Sequence, residues 1–284
     1  MVRPSPAQMT ALRSGERIAF ELAYWWLRGF RWISRLWLRF PMVWLVSSCC
    51  WRRRHVHGME HVAGIRRHDR VVVIANHRSF FDFFVITAVL WLRTRISTRV
   101  YYPVRSTFYY DHWAGPLVNA AMAAMTMFPP VLRDRKRGVT FNTYMVDCCL
   151  EELKVPGTWV GMHPEGTRNK GSDPYHFLPA KPGIGRLVLE SEGIKVLPVF
   201  VLGMGNDLFR AAIRNLREPD AYPIDVMFGP LLDFEDLRTQ GSQGETRRAA
   251  AERCMNAIRA LALQRRELRE PGTQRPPADT CETG

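Results

Sequence analysis

His77 and Asp82 stand five residues apart in Asn76-His77-Arg78-Ser79-Phe80-Phe81-Asp82, directly after the apolar run Val71-Val72-Val73-Ile74. A histidine takes up a proton near neutral pH, and a carboxylate beside it orients the ring and stabilises its charged form. On one continuous helix a spacing of five sets two side chains about 140° apart, out of easy contact. With His77 in the loop after a strand and Asp82 in the first turn of the next helix, the two can meet. An aspartate also suits a helix N-terminus electrostatically. The chemistry expected of the pair is general base catalysis. In a purely structural role, Asp82 would cap the helix and His77 would be a satisfied loop residue.

A second constellation, His163-Pro164-Glu165-Gly166-Thr167-Arg168-Asn169, follows the apolar stretch Thr158–Met162. Glycine lets backbone approach a ligand closely, and the planar fork of Arg168 suits phosphate oxygens. Glu165 is expected to hold an arginine or a hydroxyl in place. The plain alternative is a surface turn with a solvated Glu–Arg pair. A third cluster, Arg133-Asp134-Arg135-Lys136-Arg137, closes the apolar stretch Met122–Leu132. It is either a solvated face or a set of cations at the same edge as the other motifs. The fourth, Val196-Leu197-Pro198-Val199, is an apolar strand whose proline marks an edge or an altered backbone.

These groups need elements to position them. From Gly58 onward, strands are expected near 70–75, 98–104, 126–132, 158–163, 195–201 and 224–229. Helices are expected near 82–92, 113–124, 138–153, 181–192 and 245–266. The alternation predicts an α/β fold: a mixed, mostly parallel sheet flanked by helices, with functional loops gathered at one edge. The stretch Leu202–Leu208 fits no assignment. The division predicted is an N-terminal membrane-associating helical segment at 1–57, a folded domain at 58–267 and a disordered tail at 268–284.

At 284 residues with net charge +13 and 46% hydrophobic residues, the chain is globular and suited to an anionic partner. Residues 1–57 hold ten arginines and two acids, hence +8, together with six of the nine tryptophans. Tryptophan and arginine together suit a lipid headgroup boundary. Residues 1–15 read as a loose tail and 16–40 as a helix that Pro41 ends or kinks. Arg28, Arg31, Arg35 and Arg39 would fall within about 80° of arc, with Leu22, Trp26, Phe30, Ile33, Leu36, Trp37 and Phe40 gathered on the other side. Charges interrupt every window of about 20 residues, so a helix lying in the membrane plane is expected rather than a span. The alternative is a helix packed on its own domain. No signal peptide is expected. Six cysteines without a CxxC spacing indicate reduced thiols rather than a zinc site or a disulfide framework.

In order and spacing these blocks resemble the glycerophospholipid acyltransferase family. Its Asn-His-x4-Asp block is met by Asn76, His77 and Asp82, its Asp-Arg by Asp134 and Arg135, its Pro-Glu-Gly-Thr-Arg by Pro164 through Arg168, and its proline strand by Pro198. The resemblance spans about 58–232. His163 departs from it, standing where an apolar or aromatic residue is common. The resemblance implies acyl transfer from acyl-coenzyme A or acyl-carrier protein to a lysophospholipid hydroxyl, 1-acylglycerol 3-phosphate being the first choice. Glycerol 3-phosphate, another lysophospholipid or a lyso-aminolipid are the alternatives. It implies His77 and Asp82 as catalytic residues, and Arg135, Glu165, Gly166, Thr167, Arg168 and Pro198 as substrate-binding residues. No cofactor and no metal are implied, with the thioester acting as co-substrate. The expected partners are membrane lipids at an anionic surface on the cytoplasmic face, and no nucleic acid. Phe83–Leu92 and Trp113–Phe128 either line an acyl channel or are plain core. Two rivals differ in class. One is a hydrolase using Ser79, although no Gly-x-Ser-x-Gly elbow is present. The other is a non-enzymatic binder of anionic membranes.

Overall fold

The computed structural model describes residues 2–94, 99–105, 126–132 and 134–270. The expected helix 113–124 and the tail beyond residue 270 lie outside the described residues. Eight strands are described: β1 (Arg54–His57), β2 (Val71–Ala75), β3 (Arg99–Tyr101), β4 (Val104–Arg105), β5 (Pro130–Val131), β6 (Thr158–Met162), β7 (Lys195–Leu202) and β8 (Ile224–Phe228). Six form the central sheet in the order β1-β8-β7-β2-β6-β3, and β4 pairs with β5 beside it. Within the central sheet, β7 against β8 is the antiparallel pairing, and the others are parallel. This is the mixed, mostly parallel sheet expected.

β2 shows why its residues make a central strand. All five are buried and four are β-branched. Val71, Val73 and Ala75 face one apolar layer, while Val72 and Ile74 face the other. The first layer is covered by α4 (Val43–Cys50), α6 (Asp82–Arg93) and α9 (Leu208–Arg217). The second is covered by α7 (Arg135–Leu153), α8 (Pro182–Glu190) and α11 (Gly244–Arg269). Short helices α5 (Glu60–Ala63) and α10 (Glu235–Arg238) complete the description. Because β2, β6 and β7 run parallel, their C-terminal ends emerge at one edge, where βα loops collect functional groups.

The N-terminal region departs from expectation in several ways. Residues 2–15 are not the loose tail expected: α1 (Pro6–Thr10) opens with a reciprocal capping box between Ser5 and Gln8, and Leu12 is buried. The expected helix 16–40 is broken. α2 (Ser14–Gly29) stops before Phe30, α3 (Arg31–Trp37) follows, and Pro41 sits inside a π-helical turn, Leu38–Met42, that leads into α4. The break at Phe30 destroys the single angular register that an arginine stripe requires. Arg31 instead turns inward to the buried Glu152. α2 packs Phe20, Ala23, Tyr24 and Leu27 against Phe128, Phe141 and Tyr144. β1 joins the central sheet ahead of residue 58, so the sheet begins four residues earlier than the boundary read from the sequence.

The outer face of this region is apolar. Trp25, Trp32, Trp37, Trp44 and Trp51 are 43–75% exposed, alongside Leu22, Phe30, Leu36 and Phe40. Arg28 and Arg39 are exposed among them. Among the described residues no helix is long and apolar enough to cross a membrane.

Candidate active site

The sequence Asn76-His77 fixes the end of β2. The Asn76 amide extends the β2–β7 ladder: Nδ2 donates to the Val201 carbonyl and Oδ1 accepts from the Val201 amide, both at 2.8 Å. The His77 backbone is then held from the second motif. Its N–H donates to Glu165 Oε1 at 2.9 Å, and its carbonyl accepts from the Asn169 amide at 2.7 Å. The loop after β6 therefore clamps the loop after β2.

Asp82 is the first residue of α6 and is 2% exposed. Its Oδ2 accepts from the Arg78 and Ser79 amides, each at 2.8 Å, and lies 3.2 Å from His77 Nδ1. The oxygen meets His77 as expected, but it is not the expected helix cap: it makes no cap hydrogen bond to α6 and braces the loop that precedes it. Nδ1–H faces the carboxylate, which leaves Nε2 as the basic nitrogen. Burial pushes the Asp82 carboxyl up to about 7, against the two amides and Arg78, which favour its charged form.

His77 opens into a cavity of about 970 Å³, including its mouth. Phe80, Phe83, Phe84, Tyr102, Met127, Met145 and Met162 supply its apolar wall, while Arg168 and Lys181 add cations. His77 and Arg168 thus share one space. Phe83 and Phe84, in the first of the two expected channel segments, line it as well as packing in the core. Most of the other segment, Trp113–Phe128, lies outside the described residues.

The remaining expected residues divide. Gly166 lines the cavity at φ +64°, in a tight turn closed by its N–H on the His163 carbonyl. A Cβ there would crowd Lys181 Cγ at 3.0 Å. Thr167, next to it, is half-buried and does not line the cavity. Glu165 is 1% exposed and, contrary to expectation, holds neither an arginine nor a hydroxyl. Its two oxygens accept from the His77 and Leu178 amides at 2.9 and 3.0 Å. Burial raises its pKa. Its place is that of a brace beneath His77. Pro198 is also displaced from expectation: it lies mid-strand between β2 and β8, buried, opposite Ile74, and away from the cavity. Its carbonyl accepts from Gly229.

Arg135 is the first residue of α7, and its side chain lies outside the described residues. Of its neighbours, Arg137 serves structure. Asp134 caps α7 through the Lys136 and Arg137 amides, and Arg137 pairs with Glu16 at 2.6 Å, docking α2. Ser79, the nucleophile of the hydrolase reading, is 1% exposed. Its Oγ donates to the Gly205 carbonyl and accepts from the Phe81 amide.

Besides Lys181, two groups were missed in the sequence. The loop after β7 brings Asn206 across the motifs, where Oδ1 accepts from the Phe80 amide at 2.8 Å and from Arg168 Nη1 at 3.3 Å. No local pattern signals this, because the contact spans 126 residues to Phe80. His163, noted only as a departure, lies with its ring 3.8 Å from that of His77 and 7° from parallel. His77, Asp82 and His163 bring their ligand atoms within 4.8 Å, close enough to suggest a metal. The two rings occupy separate, nearly parallel planes, so their in-plane lone pairs cannot converge on one ion. The cluster suits proton transfer instead.

A family model described as Acyltransferase matches residues 53–202, just over half of the 284 residues. Among solved structures the chain is similar to the crystal structure of the 1-acyl-sn-glycerophosphate (LPA) acyltransferase, PlsC, from Thermotoga maritima. That match has 16% identity and a TM-score of 0.45, and covers 90% of this chain and 85% of that one. No curated protein matches the sequence.

Proposed function

The chain belongs to the acyltransferase family, and from that premise we propose that it transfers a fatty acyl group from acyl-coenzyme A or acyl-carrier protein to the hydroxyl of a lysophospholipid. The favoured acceptor is 1-acylglycerol 3-phosphate, giving phosphatidic acid. The observation that carries this reading is the shared cavity. His77, held at Nδ1 by Asp82, faces the same apolar-walled space as Arg168 and Lys181. One ligand with a hydroxyl, a phosphate and a hydrocarbon chain satisfies all three features.

In this reading His77 Nε2 takes the acceptor's hydroxyl proton as the oxygen attacks the thioester carbonyl. Collapse of the tetrahedral intermediate breaks the C–S bond, forms the ester, and returns the proton from His77 to the departing thiolate. Asp82 keeps the ring in the correct tautomer and stabilises its cation. The acceptor is itself the nucleophile, so no enzyme-bound acyl group is required. Arg168 and Lys181 bind the phosphate, and Glu165 positions His77 from beneath. Holding acceptor and donor together can lower the barrier by roughly 7–11 kcal/mol in the best cases. The exposed tryptophans seat residues 1–57 on an anionic membrane surface, where lysophospholipid and product reside.

The test is an acceptor screen with labelled acyl-coenzyme A and acyl-carrier protein on the wild type and His77→Ala. Label should appear in a phospholipid with the wild type alone. Vesicle binding unchanged by His77→Ala, with no transfer to any acceptor, would instead support a non-enzymatic membrane binder.

A further inference from the structure

His163 is a half-buried titratable group on the cavity wall for which the proposed mechanism has no task. It follows β6, and its Nδ1 lies 2.9 Å from the Ala75 carbonyl at the end of β2. A carbonyl only accepts, so Nδ1 carries the hydrogen and the ring is a fixed neutral tautomer. Burial, with His77 alongside, holds its pKa down to about 3, so it stays neutral across the working pH range.

The ring belongs to a column. His163 lies 3.8 Å from His77 on one contact and 4.2 Å from Phe83 on another, and Phe83 stacks on Tyr102 at 5.0 Å. β6 makes room for it with Gly161. A Cβ there would stand 2.7 Å from the Tyr102 ring and 3.0 Å from that of Phe83. The rigid core thereby reaches the imidazole that moves the proton.

We propose that His163 is a positioning residue for His77: its anchored ring sets the tilt of His77, and its π face stabilises the cation formed when His77 accepts the proton. A cation over a neutral aromatic face is favoured, the more so when desolvated. Among the described residues, charged or titratable groups near His77 include Asp82 at Nδ1, Glu165 through the backbone amide, Arg78 next in the chain, and Arg168 and Lys181 on the cavity wall. This inference rests on the acyl-transfer reading for its kinetics, but not for its titration.

The test compares His163→Leu, similar in bulk without a π face, with His163→Phe, which keeps one. His163→Leu should lower kcat about 10- to 100-fold with the acceptor KM nearly unchanged, as a small misalignment does. His163→Phe should restore most of that loss. The His77 ring, titrated by NMR in the ligand-free protein, should lose its proton roughly half a pH unit lower in His163→Leu than in the wild type or His163→Phe. Equal behaviour of the two variants, or a loss confined to KM, overturns the proposal. If His163→Leu does not fold, a folded His163→Phe with the kcat of a dead enzyme overturns it as well. Absence of transfer by the wild type would fault the acyl-transfer reading alone, while the NMR comparison still decides the role of His163.

Discussion

His77 Nδ1 and Asp82 Oδ2 lie 3.2 Å apart because the chain turns between them, and the same oxygen caps the turn through the Arg78 and Ser79 amides. The carboxylate thus shapes the loop and orients the base with one atom. Removing its charge while keeping its shape should separate the electrostatic task from the hydrogen bonds. In Asp82→Asn an amide oxygen in the same place still accepts from the Arg78 and Ser79 amides and from Nδ1–H, but it carries no charge to stabilise the His77 cation. Turnover should fall by about 10²-fold or more with circular dichroism unchanged. Loss of folded signal in Asp82→Asn would show that its role in bracing the loop dominates.

The pH dependence follows from burial. Asp82 moves from its ordinary 3.8 up to about 7 in the fold. Below about 7 it is protonated and no longer offers the charge that stabilises the imidazolium, so kcat/KM should decline on the acid side, with an apparent value belonging to the pair. Stability runs the opposite way. The raised folded value favours the protonated form, an advantage complete below 3.8 and lost as pH rises through about 7. The melting temperature of Asp82→Asn relative to the wild type should therefore improve between pH 5 and pH 8. A constant gap across that range would contradict the burial argument.

Glu165 is predicted to act through His77 rather than on substrate. Glu165→Gln places an NH₂ group against one of two backbone N–H donors and should cost about 1–3 kcal/mol of stability, read by thermal or urea unfolding. Its kinetic effect should fall on kcat, with the acceptor KM little changed. A large KM effect without destabilisation would return Glu165 to the substrate.

The exposed tryptophans give a prediction for the surface. Trp44→Glu and Trp51→Glu alter side chains that are 75% and 60% exposed, so folding should survive. Sedimentation with anionic vesicles should weaken several-fold, while transfer to a water-soluble, short-chain acceptor persists. Unchanged vesicle binding would remove this face from the membrane-contact account.

Much of this was legible in the sequence where physics is local. The five buried residues of β2, the strand–loop–helix step from His77 to Asp82, and the switch to parallel α/β alternation all announce themselves in pattern. What escaped is long-range or irregular. Asn206 earns its position only when the loop after β7 folds over residues far away in sequence. The helix break at Phe30 separates a helix that packs Phe20 and Leu27 in one apolar cluster from a turn that packs Leu38 and Met42 in another, a division that helical periodicity does not register. Glu165 was misjudged because a buried carboxylate serving two backbone amides looks, in sequence, like half of a salt bridge. Pro198 was misjudged because a proline usually marks a sheet edge, whereas here it sits between two strands.

The central claim is that His77 and Arg168 act on one bound acceptor, and paired kinetics test it most directly. Initial rates of labelled acyl transfer would be compared for a phosphorylated acceptor and its phosphate-free counterpart, using the wild type and Arg168→Ala. The account predicts that Arg168→Ala raises KM for the phosphorylated acceptor by about 10-fold or more, as loss of a charge-assisted contact does, and leaves the phosphate-free acceptor unaffected. Equal effects on both acceptors, or none on either, would contradict it.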